Sequence, residues 1–382
     1  MIMEKTITDV LDAIENAGFE AYIVGGYVRD LIRGYQTTDI DICTNALPKD
    51  LNEIFKIGNT RDDIYGAYKI VTGKYNFDIT TYRKDLNYIG RKPTEIEYVS
   101  NLITDLERRD FTINSLCLNR NNEIIDLLGG KEDIDNKIIR VIGDVKTKLT
   151  EDPLRILRAL RFSVTLDFDI DEEIIEFIKN NKELLKTLSV SRKKYEIQSI
   201  LLSENLEKGI KLIKELDLED SLGVKIPDKL ISVSDINGMW AQVEVLEDNF
   251  FTKEEKSMRK SIQNILEYGK IDNNVLFEHG LYNSGVAGRI LGLEIKDINE
   301  QFEALPIKNI KDIDITSEVI INLFKIEPSV IIKEIMNDVK EEILNNKLGN
   351  NRESIIKYLN EFRGKWFKWK KQWIYLSTIR IM

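Results

Sequence analysis

The chain has 382 residues, of which 42% are hydrophobic and 31% charged, and its formal net charge at pH 7 is −10. This length excludes a single small domain and favours two to four packed units, while only 6 prolines and 21 glycines argue against long disordered segments. No apolar run approaches the roughly 20 residues that a membrane-spanning helix needs, and no signal-peptide pattern opens the chain. We therefore expect a soluble, cytoplasmic protein with no membrane partner.

The N-terminal part alternates predicted strands and helices. A short apolar strand at Ala21–Val24 ends at two glycines, residues 39–43 alternate with period two, and β-rich runs follow at 74–82 and 95–99. Helical periodicity begins near Leu149 and continues almost to the end. The pattern predicts an α+β domain over residues 1–145 followed by helical modules, with boundaries near residues 146 and 203.

A glycine turn and two neighbouring aspartates form the first candidate site. Gly25 and Gly26 follow the first predicted strand and Arg29 lies three residues on, while Asp39 and Asp41 lie on the second strand. Alternate residues of a strand share a face, so the two carboxylates repel each other unless a divalent cation such as Mg²⁺ binds them. The glycines let the backbone approach a phosphate, and the guanidinium can bind one. The combination predicts metal-assisted nucleotidyl transfer, although Asp-x-Asp alone is more often a solvated strand face.

Cysteine and histidine chemistry is limited. Cys43 and Cys117 are the only cysteines and lie in apolar stretches, which predicts buried, reduced thiols rather than a disulfide. His279 is the only histidine, so a zinc site built from cysteine and histidine is excluded.

Residues 108–114 read Arg-Arg-Asp-Phe-Thr-Ile-Asn and follow Thr-Asp-Leu-Glu at 104–107, which has the pattern of a capping box that opens a helix. Two arginines beside an acid are, in isolation, about as often a solvated ion-pair patch as a binding site.

The segment that begins at Glu151 suggests a nucleobase reader. Thr150 is predicted to cap a helix whose first turn holds Asp152, and Arg155, Arg158 and Arg161 follow at intervals of three. These arginines can instead form the solvated face of an amphipathic helix.

The chemistry of the reader follows from the pairing edges of the bases. Cytosine and adenine both present an amino donor beside a ring-nitrogen acceptor, whereas guanine and uracil present a carbonyl acceptor beside an N–H donor. An aspartate and an arginine one helical turn apart, as Asp152 and Arg155 are predicted to be, can therefore accept C and A and reject G and U.

Taken together, these motifs resemble the nucleotidyltransferase superfamily that includes DNA polymerase beta, specifically the branch of class II tRNA nucleotidyltransferases (CCA-adding enzymes) and bacterial poly(A) polymerases. The resemblance covers about residues 23–203. It implies a polymerase beta-like α+β head at 1–145, a helical neck at 146–203, a helical body at 204–300 and an RNA-binding helical tail at 301–382.

The implied reaction adds CCA, or its terminal A, to the 3′ end of tRNA from CTP and ATP and releases pyrophosphate. Asp39 and Asp41 would bind Mg²⁺, and Asp78 would be a third catalytic carboxylate, with Asp110 as the competing choice. By the same resemblance the nucleotide would be bound by Gly25, Gly26, Arg29, Arg109, Asp110, Asn114, Asp152, Arg155, Arg158 and Arg161.

Several alternatives stay open at this level. Residues 82–93 are polar and predicted to be a loop, which resembles the flexible loop of A-adding enzymes, although Ile89 stands where the family commonly has aspartate. Trp366, Trp369 and Trp373, interleaved with lysines, either pack as a helical stripe or stack on RNA. A poly(A) polymerase and a non-catalytic RNA-binding protein on the same scaffold are the rival functions, and the oligomeric state is left undetermined.

Overall fold

The computed structural model describes residues 3–56, 67–89 and 92–361. The described chain forms two compact units: residues up to 229 together with 244–250 form the first, and residues 230–243 together with those from 251 onward form the second. The predicted boundaries near residues 146 and 203 both lie inside the first unit. The finer division into head, neck, body and tail stays a prediction.

The first unit contains a mixed sheet and all twelve strands of the described residues. Its elements are, in chain order, α1 Lys5–Asn16, β1 Ala21–Val24, α2 Gly26–Ile32, β2 Asp39–Thr44, α3 Pro48–Phe55, β3 Ala67–Thr72, β4 Tyr75–Thr81, β5 Arg83–Ile89, β6 Lys92–Tyr98, α4 Leu102–Glu107, β7 Cys117–Leu118, β8 Ile124–Ile125, α5 Gly130–Asp135, β9 Ile138–Ile139, α6 Val145–Glu151, α7 Leu154–Leu166, β10 Asp169–Ile170, α8 Glu172–Asn181, α9 Val190–Leu201, α10 Leu206–Glu215, α11 Glu219–Leu222, β11 Val224–Lys225 and β12 Glu244–Val245.

Six strands form the main sheet in the order β3-β4-β2-β1-β7-β8. Strands β2 and β4 run parallel, with Asp41 opposite Asp78, while β2 pairs with β1 and β4 pairs with β3 in the antiparallel sense. Burial alternates at the start of β2, where Ile40 and Ile42 point into the core and Asp39 and Asp41 lie on the other face. The sheet therefore presents the two aspartates side by side, as predicted.

The predicted loop at residues 82–93 is wrong: the structure has a β-hairpin there. Strands β5 and β6 pair in the antiparallel sense from Arg83 with Tyr98 to Ile89 with Lys92. The polar composition that suggested a loop arises because much of this two-stranded ribbon faces solvent, with Lys84, Glu95 and Glu97 exposed. Gly90 and Arg91 lie outside the described residues.

Two predicted helix starts are also wrong. Helix α4 begins at Leu102, where the Asn101 side chain accepts a hydrogen bond from the Ile103 amide at 3.1 Å, so Thr104 lies inside the helix. Thr150 lies inside α6, and the next helix, α7, begins only at Leu154. Pro153 has no N–H with which to continue the hydrogen-bond ladder of α6, so the chain breaks between the two helices.

The second unit is built from α12 Ile236–Ala241, α13 Lys253–Tyr268, α14 Asn273–Ile290, α15 Ile295–Glu303, α16 Ser317–Phe324, α17 Val330–Leu344 and α18 Arg352–Glu361. Helix α14 is broken at Gly280, whose φ is 74°. Buried aliphatic residues of α14 to α18, among them Leu276, Ile320 and Ile343, form one of its cores. Within the part of the chain that the structure describes, no helix is both long enough and apolar enough to cross a bilayer.

Candidate active site

Three aspartates lie on one face of the sheet. Asp39 and Asp41 project from β2, and Asp78 occupies the position beside Asp41 on β4. Asn76 Nδ2 donates to Asp39 Oδ1 at 2.8 Å, and Lys69 Nζ lies 3.2 Å from Asp78 Oδ1. The structure thus places the favoured third carboxylate next to the predicted pair.

Negative charge accumulates around Asp41. Burial raises the pKa of its carboxyl, the neighbouring carboxylates of Asp78 and Asp39 raise it further, and Arg109 and Lys69 oppose them. A hard divalent cation with oxygen ligands fits this donor set. No group of three His, Cys, Asp or Glu side chains in the described ranges could hold a metal ion by itself. A cation here would complete its coordination with water and substrate phosphates, which is the usual habit of Mg²⁺.

A cleft of about 450 Å³ opens beside Asp41. All ten residues predicted to bind the nucleotide line it, together with Asp41 and Phe162: Gly25, Gly26, Arg29, Arg109, Asp110, Asn114, Asp152, Arg155, Arg158 and Arg161. Five arginines and three aspartates give the cleft a positive balance, which suits a polyphosphate. Asp39 and Asp78 are not among its lining residues.

The glycine turn brings the backbone close to the carboxylates. Gly25 ends β1 with φ +81°, and a Cβ built on it would lie 3.2 Å from Asp41 Oδ2. Gly26 begins α2, which carries Arg29. The Arg29 guanidinium is held by Asp30 through two bonds of 2.9 Å and donates to Asn114 Oδ1 at 2.7 Å.

Arg109 depends on a residue that the sequence reasoning missed. Asp105 of α4 is completely buried and accepts from Arg109 Nη2 at 3.1 Å, from Arg108 Nε at 2.8 Å and from the Arg83 backbone amide at 3.2 Å. Arg109 Nε is buried with no hydrogen-bond partner among the described residues. An unpaired buried donor is costly, and the Arg109 side chain that carries this atom lines the cleft.

Asp110, the competing choice for the third catalytic carboxylate, is engaged by an ion pair and hydrogen bonds within the protein. Arg158 Nε donates to its Oδ2 at 2.7 Å and Arg158 Nη2 lies 2.7 Å from the same oxygen in an ion pair, while the Asn114 side-chain amide and the Phe111 backbone amide donate to Oδ1 at 3.2 and 2.8 Å. Burial alone would raise the pKa of Asp110, but Arg158 and these hydrogen bonds outweigh it and lower the pKa. Its position therefore suits the orientation of Arg158 better than metal binding.

The predicted reader residues lie at the junction of α6 and α7. Asp152 Oδ1 accepts from the Leu154 amide at 3.1 Å, so Asp152 caps α7 from outside instead of standing in its first turn. Arg155 donates to the carbonyls of Lys148 and Arg108 at 2.9 and 3.2 Å. Two of its five N–H groups are engaged in this way, and the guanidinium remains at the cleft.

The remaining arginines of α7 share an aromatic support. Arg161 Nε donates to Glu196 of α9 at 2.6 Å, so α9 braces this helix. The guanidinium carbons of Arg161, Arg158 and Arg29 lie 4.0, 5.1 and 5.4 Å from the centroid of the Phe162 ring. Sequence reasoning missed Phe162; an aromatic beside the arginine row was the available signal, because such rings attract cations.

Two further expectations concern residues away from the cleft. Cys43 and Cys117 are both buried and free, as predicted. The tryptophan-rich segment at 366–373 lies outside the described residues.

A mixed sheet with paired aspartates at one edge of an arginine-lined cleft defines a nucleotidyltransferase, and the family models agree. Residues 21–140 match the poly A polymerase head domain, residues 167–222 the probable RNA and SrmB-binding site of polymerase A, and residues 256–359 a putative tRNA nucleotidyltransferase domain 2.

Whole-chain comparisons narrow the class further. A CCA-adding enzyme of Lactobacillus helveticus is 31% identical over 92% of this chain and 96% of the relative, and one of Streptococcus pneumoniae is 30% identical over the same shares. The crystal structure of the Bacillus stearothermophilus CCA-adding enzyme in complex with CTP shares the fold, with a TM-score of 0.81, 24% identity, and coverage of 96% of this chain and 100% of that one. The chain belongs to the family of CCA-adding enzymes. The predicted family, fold class and enzyme class are thereby confirmed.

Proposed function

We propose that this chain completes the 3′ end of tRNA by adding C and A residues from CTP and ATP, with Mg²⁺ as the metal. The observation that carries the proposal is the row of Asp39, Asp41 and Asp78 beside a cleft whose arginines suit a triphosphate. The relatives of similar length named CCA-adding enzyme support the same reaction.

The carboxylates of Asp39, Asp41 and Asp78 would position the reacting groups through the bound metal ion. Asp39 and Asp41 would hold the metal and Asp78 would complete the negative face. Bound there, Mg²⁺ supplies Lewis-acid stabilisation of phosphate charge and lowers the pKa of the RNA 3′-hydroxyl. Attack of that hydroxyl on the α-phosphate and departure of pyrophosphate then depend on in-line positioning.

The arginines hold the nucleotide. Arg109, held by Asp105, and Arg158 and Arg161, stacked against Phe162, would bind the triphosphate. Asn114, fixed by Arg29, would contact the sugar.

Asp152 and Arg155 would read the base. A G or U would bring acceptor against acceptor and donor against donor, at about 1–3 kcal/mol for each unsatisfied buried group. No template is needed for such a choice.

The same proposal implies tRNA as the partner and the cytoplasm as the cellular location. The second unit, which contains the match to tRNA nucleotidyltransferase domain 2, would bind the tRNA by shape and backbone contact. Two free, buried cysteines fit the reducing cytoplasm.

The experiment that tests the proposal uses purified protein, Mg²⁺, single labelled nucleotides, and tRNAs that end before, within or after CCA. We expect C and then A to be added until CCA is complete, with no further growth. Long A tails on mature tRNA or on unrelated RNA would identify a poly(A) polymerase instead.

The same assay tests the carboxylates. The Asp39→Ala and Asp41→Ala variants should lose incorporation, whereas Asp135→Ala, which removes an exposed carboxylate of α5, should retain it. Equal incorporation by the Asp39 and Asp41 variants and the wild type would point to a contaminating enzyme and favour a non-catalytic RNA-binding protein.

A further inference from the structure

The face of the sheet that carries Asp39, Asp41 and Asp78, here called the carboxylate face, extends to Lys69 on the edge strand β3. Strand register places Asp41, Asp78 and Lys69 in one row across β2, β4 and β3, and the Lys69 ammonium lies 3.2 Å from Asp78 Oδ1. Both side chains are open to solvent, with 70% of Lys69 and 47% of Asp78 exposed. Strand β3 is the outermost strand of this sheet among the described residues. The face is therefore bordered by an accessible cation.

The position of Lys69 separates it from the nucleotide cleft. The cleft is lined by Asp41 and by residues of α2 and α7, but neither Asp78 nor Lys69 contributes to it. Two strand spacings put the Lys69 backbone about 10 Å from that of Asp41, on the side away from the arginines. A second substrate that approaches Asp39 and Asp41 from this side passes Lys69.

The charge on Lys69 can serve two partners. As long as no metal ion is bound to the three carboxylates, the Lys69 ammonium compensates the charge of Asp78. Divalent cations bound by those carboxylates would take over that compensation, and Lys69 would then be available to another anion. An exposed lysine binds a phosphate as a point charge.

We propose that Lys69 binds the last phosphodiester of the RNA whose 3′-hydroxyl is extended. This phosphodiester lies one nucleotide back from the attacking hydroxyl and carries one negative charge. Lys69 is then a positioning residue for the RNA and takes no part in binding the incoming nucleotide. The inference rests on the proposed function, because it requires an RNA primer at this face.

The test measures RNA binding by fluorescence anisotropy in Mg²⁺ without any nucleoside triphosphate, so that no reaction occurs. The probe is a labelled tRNA that ends before CCA, with its last internucleotide linkage either a natural phosphodiester or a neutral methylphosphonate. Lys69→Ala should weaken binding of the natural RNA about fivefold and reduce the slope of log K against log salt by about one. Lys69→Arg should bind nearly as the wild type does.

The matched control is Lys131→Ala, because Lys131 forms an equally exposed ion pair with Asp135 on α5 of the same unit, 2.9 Å between the charged atoms. This variant should bind like the wild type.

On the methylphosphonate RNA, Lys69→Ala and the wild type should bind equally. An equal loss of affinity for both RNAs, no loss for either, or a rise in the KM for CTP at unchanged RNA affinity would overturn the role of Lys69. These results would leave the proposed function intact. Failure of the wild type to bind either RNA would overturn the proposed function, and the inference with it.

Discussion

The ion pair between Arg158 and Asp110 links helix α7 to the segment that follows α4, and its removal has a calculable effect. Arg158 Nε donates to Asp110 Oδ2 at 2.7 Å and Nη2 lies 2.7 Å from the same oxygen, with 32% of the arginine and 13% of the aspartate side chain exposed. Loss of one partner costs about 3–5 kcal/mol when a pair is fully buried and about 0–1 kcal/mol when it is exposed. For this intermediate pair, Arg158→Ala should lower the free energy of unfolding by about 2 kcal/mol near pH 7.

The effect has a defined pH dependence. The folded-state pKa of Asp110 is lowered, because Arg158 and the surrounding hydrogen bonds outweigh burial. The stabilisation is thus fully present above the unfolded-state pKa, near 3.9, and is lost as the pH falls through the lower folded-state value. The difference between wild type and Arg158→Ala should therefore be largest near neutral pH and shrink as acid protonates Asp110.

Urea unfolding followed by circular dichroism at about pH 7 and about pH 3 measures both quantities. Asp110→Asn in the Arg158→Ala background should recover part of the loss, because no unpaired charge stays buried. Lys131→Ala, which removes an exposed ion pair, should change stability by less than about 0.5 kcal/mol. A variant as stable as the wild type at neutral pH, or a deficit that is unchanged at pH 3, would refute the assignment of charge to this pair.

Three further substitutions test the cleft. Gly25→Ala places a Cβ 3.2 Å from Asp41 Oδ2 at a φ of +81°, so thermal unfolding should show a loss of about 1–2 kcal/mol; an unchanged midpoint would contradict the strained turn. Glu196→Ala leaves Arg161 without its 2.6 Å partner and should raise the KM for both CTP and ATP several-fold, with partial recovery in Glu196→Gln. Arg155→Ala should increase misincorporation of UTP and GTP about tenfold relative to CTP, whereas an equal loss for all four nucleotides would exclude a reader.

Local patterns predicted the parts of the site that depend on neighbours in sequence. The shared face of Asp39 and Asp41 follows from strand periodicity alone, and the placement of Gly25 and Gly26 follows from the end of an apolar strand. The choice between Asp78 and Asp110 could not be made in this way. It depends on the parallel pairing of β2 with β4, a contact between segments that nearly forty residues separate.

The errors have a common physical origin. A polar two-stranded ribbon and a loop have similar composition, so only the pairing of β5 with β6 distinguishes them. The helix starts were misplaced because Thr104 and Thr150 satisfy a capping pattern equally well inside a helix, where tertiary contacts decide. Asp105 was missed because it supports Arg109 from a buried position. Nothing in the surrounding charged sequence distinguishes a buried aspartate from an exposed one.

The hydrogen bonds of Arg155 connect the proposed base reader to the segment that carries Arg109. Its guanidinium joins the Lys148 carbonyl in the last turn of α6 to the carbonyl of Arg108, the residue that ends α4. Carbonyls at helix C-termini carry partial negative charge, so a cation there stabilises both ends. Arg109 follows Arg108 directly, so Arg155 connects α7 to the backbone that carries the arginine proposed to bind phosphate. A lysine at position 155 would keep the charge but could not span both carbonyls, because it lacks the planar fork; it should thus retain protein stability better than it retains nucleotide selectivity.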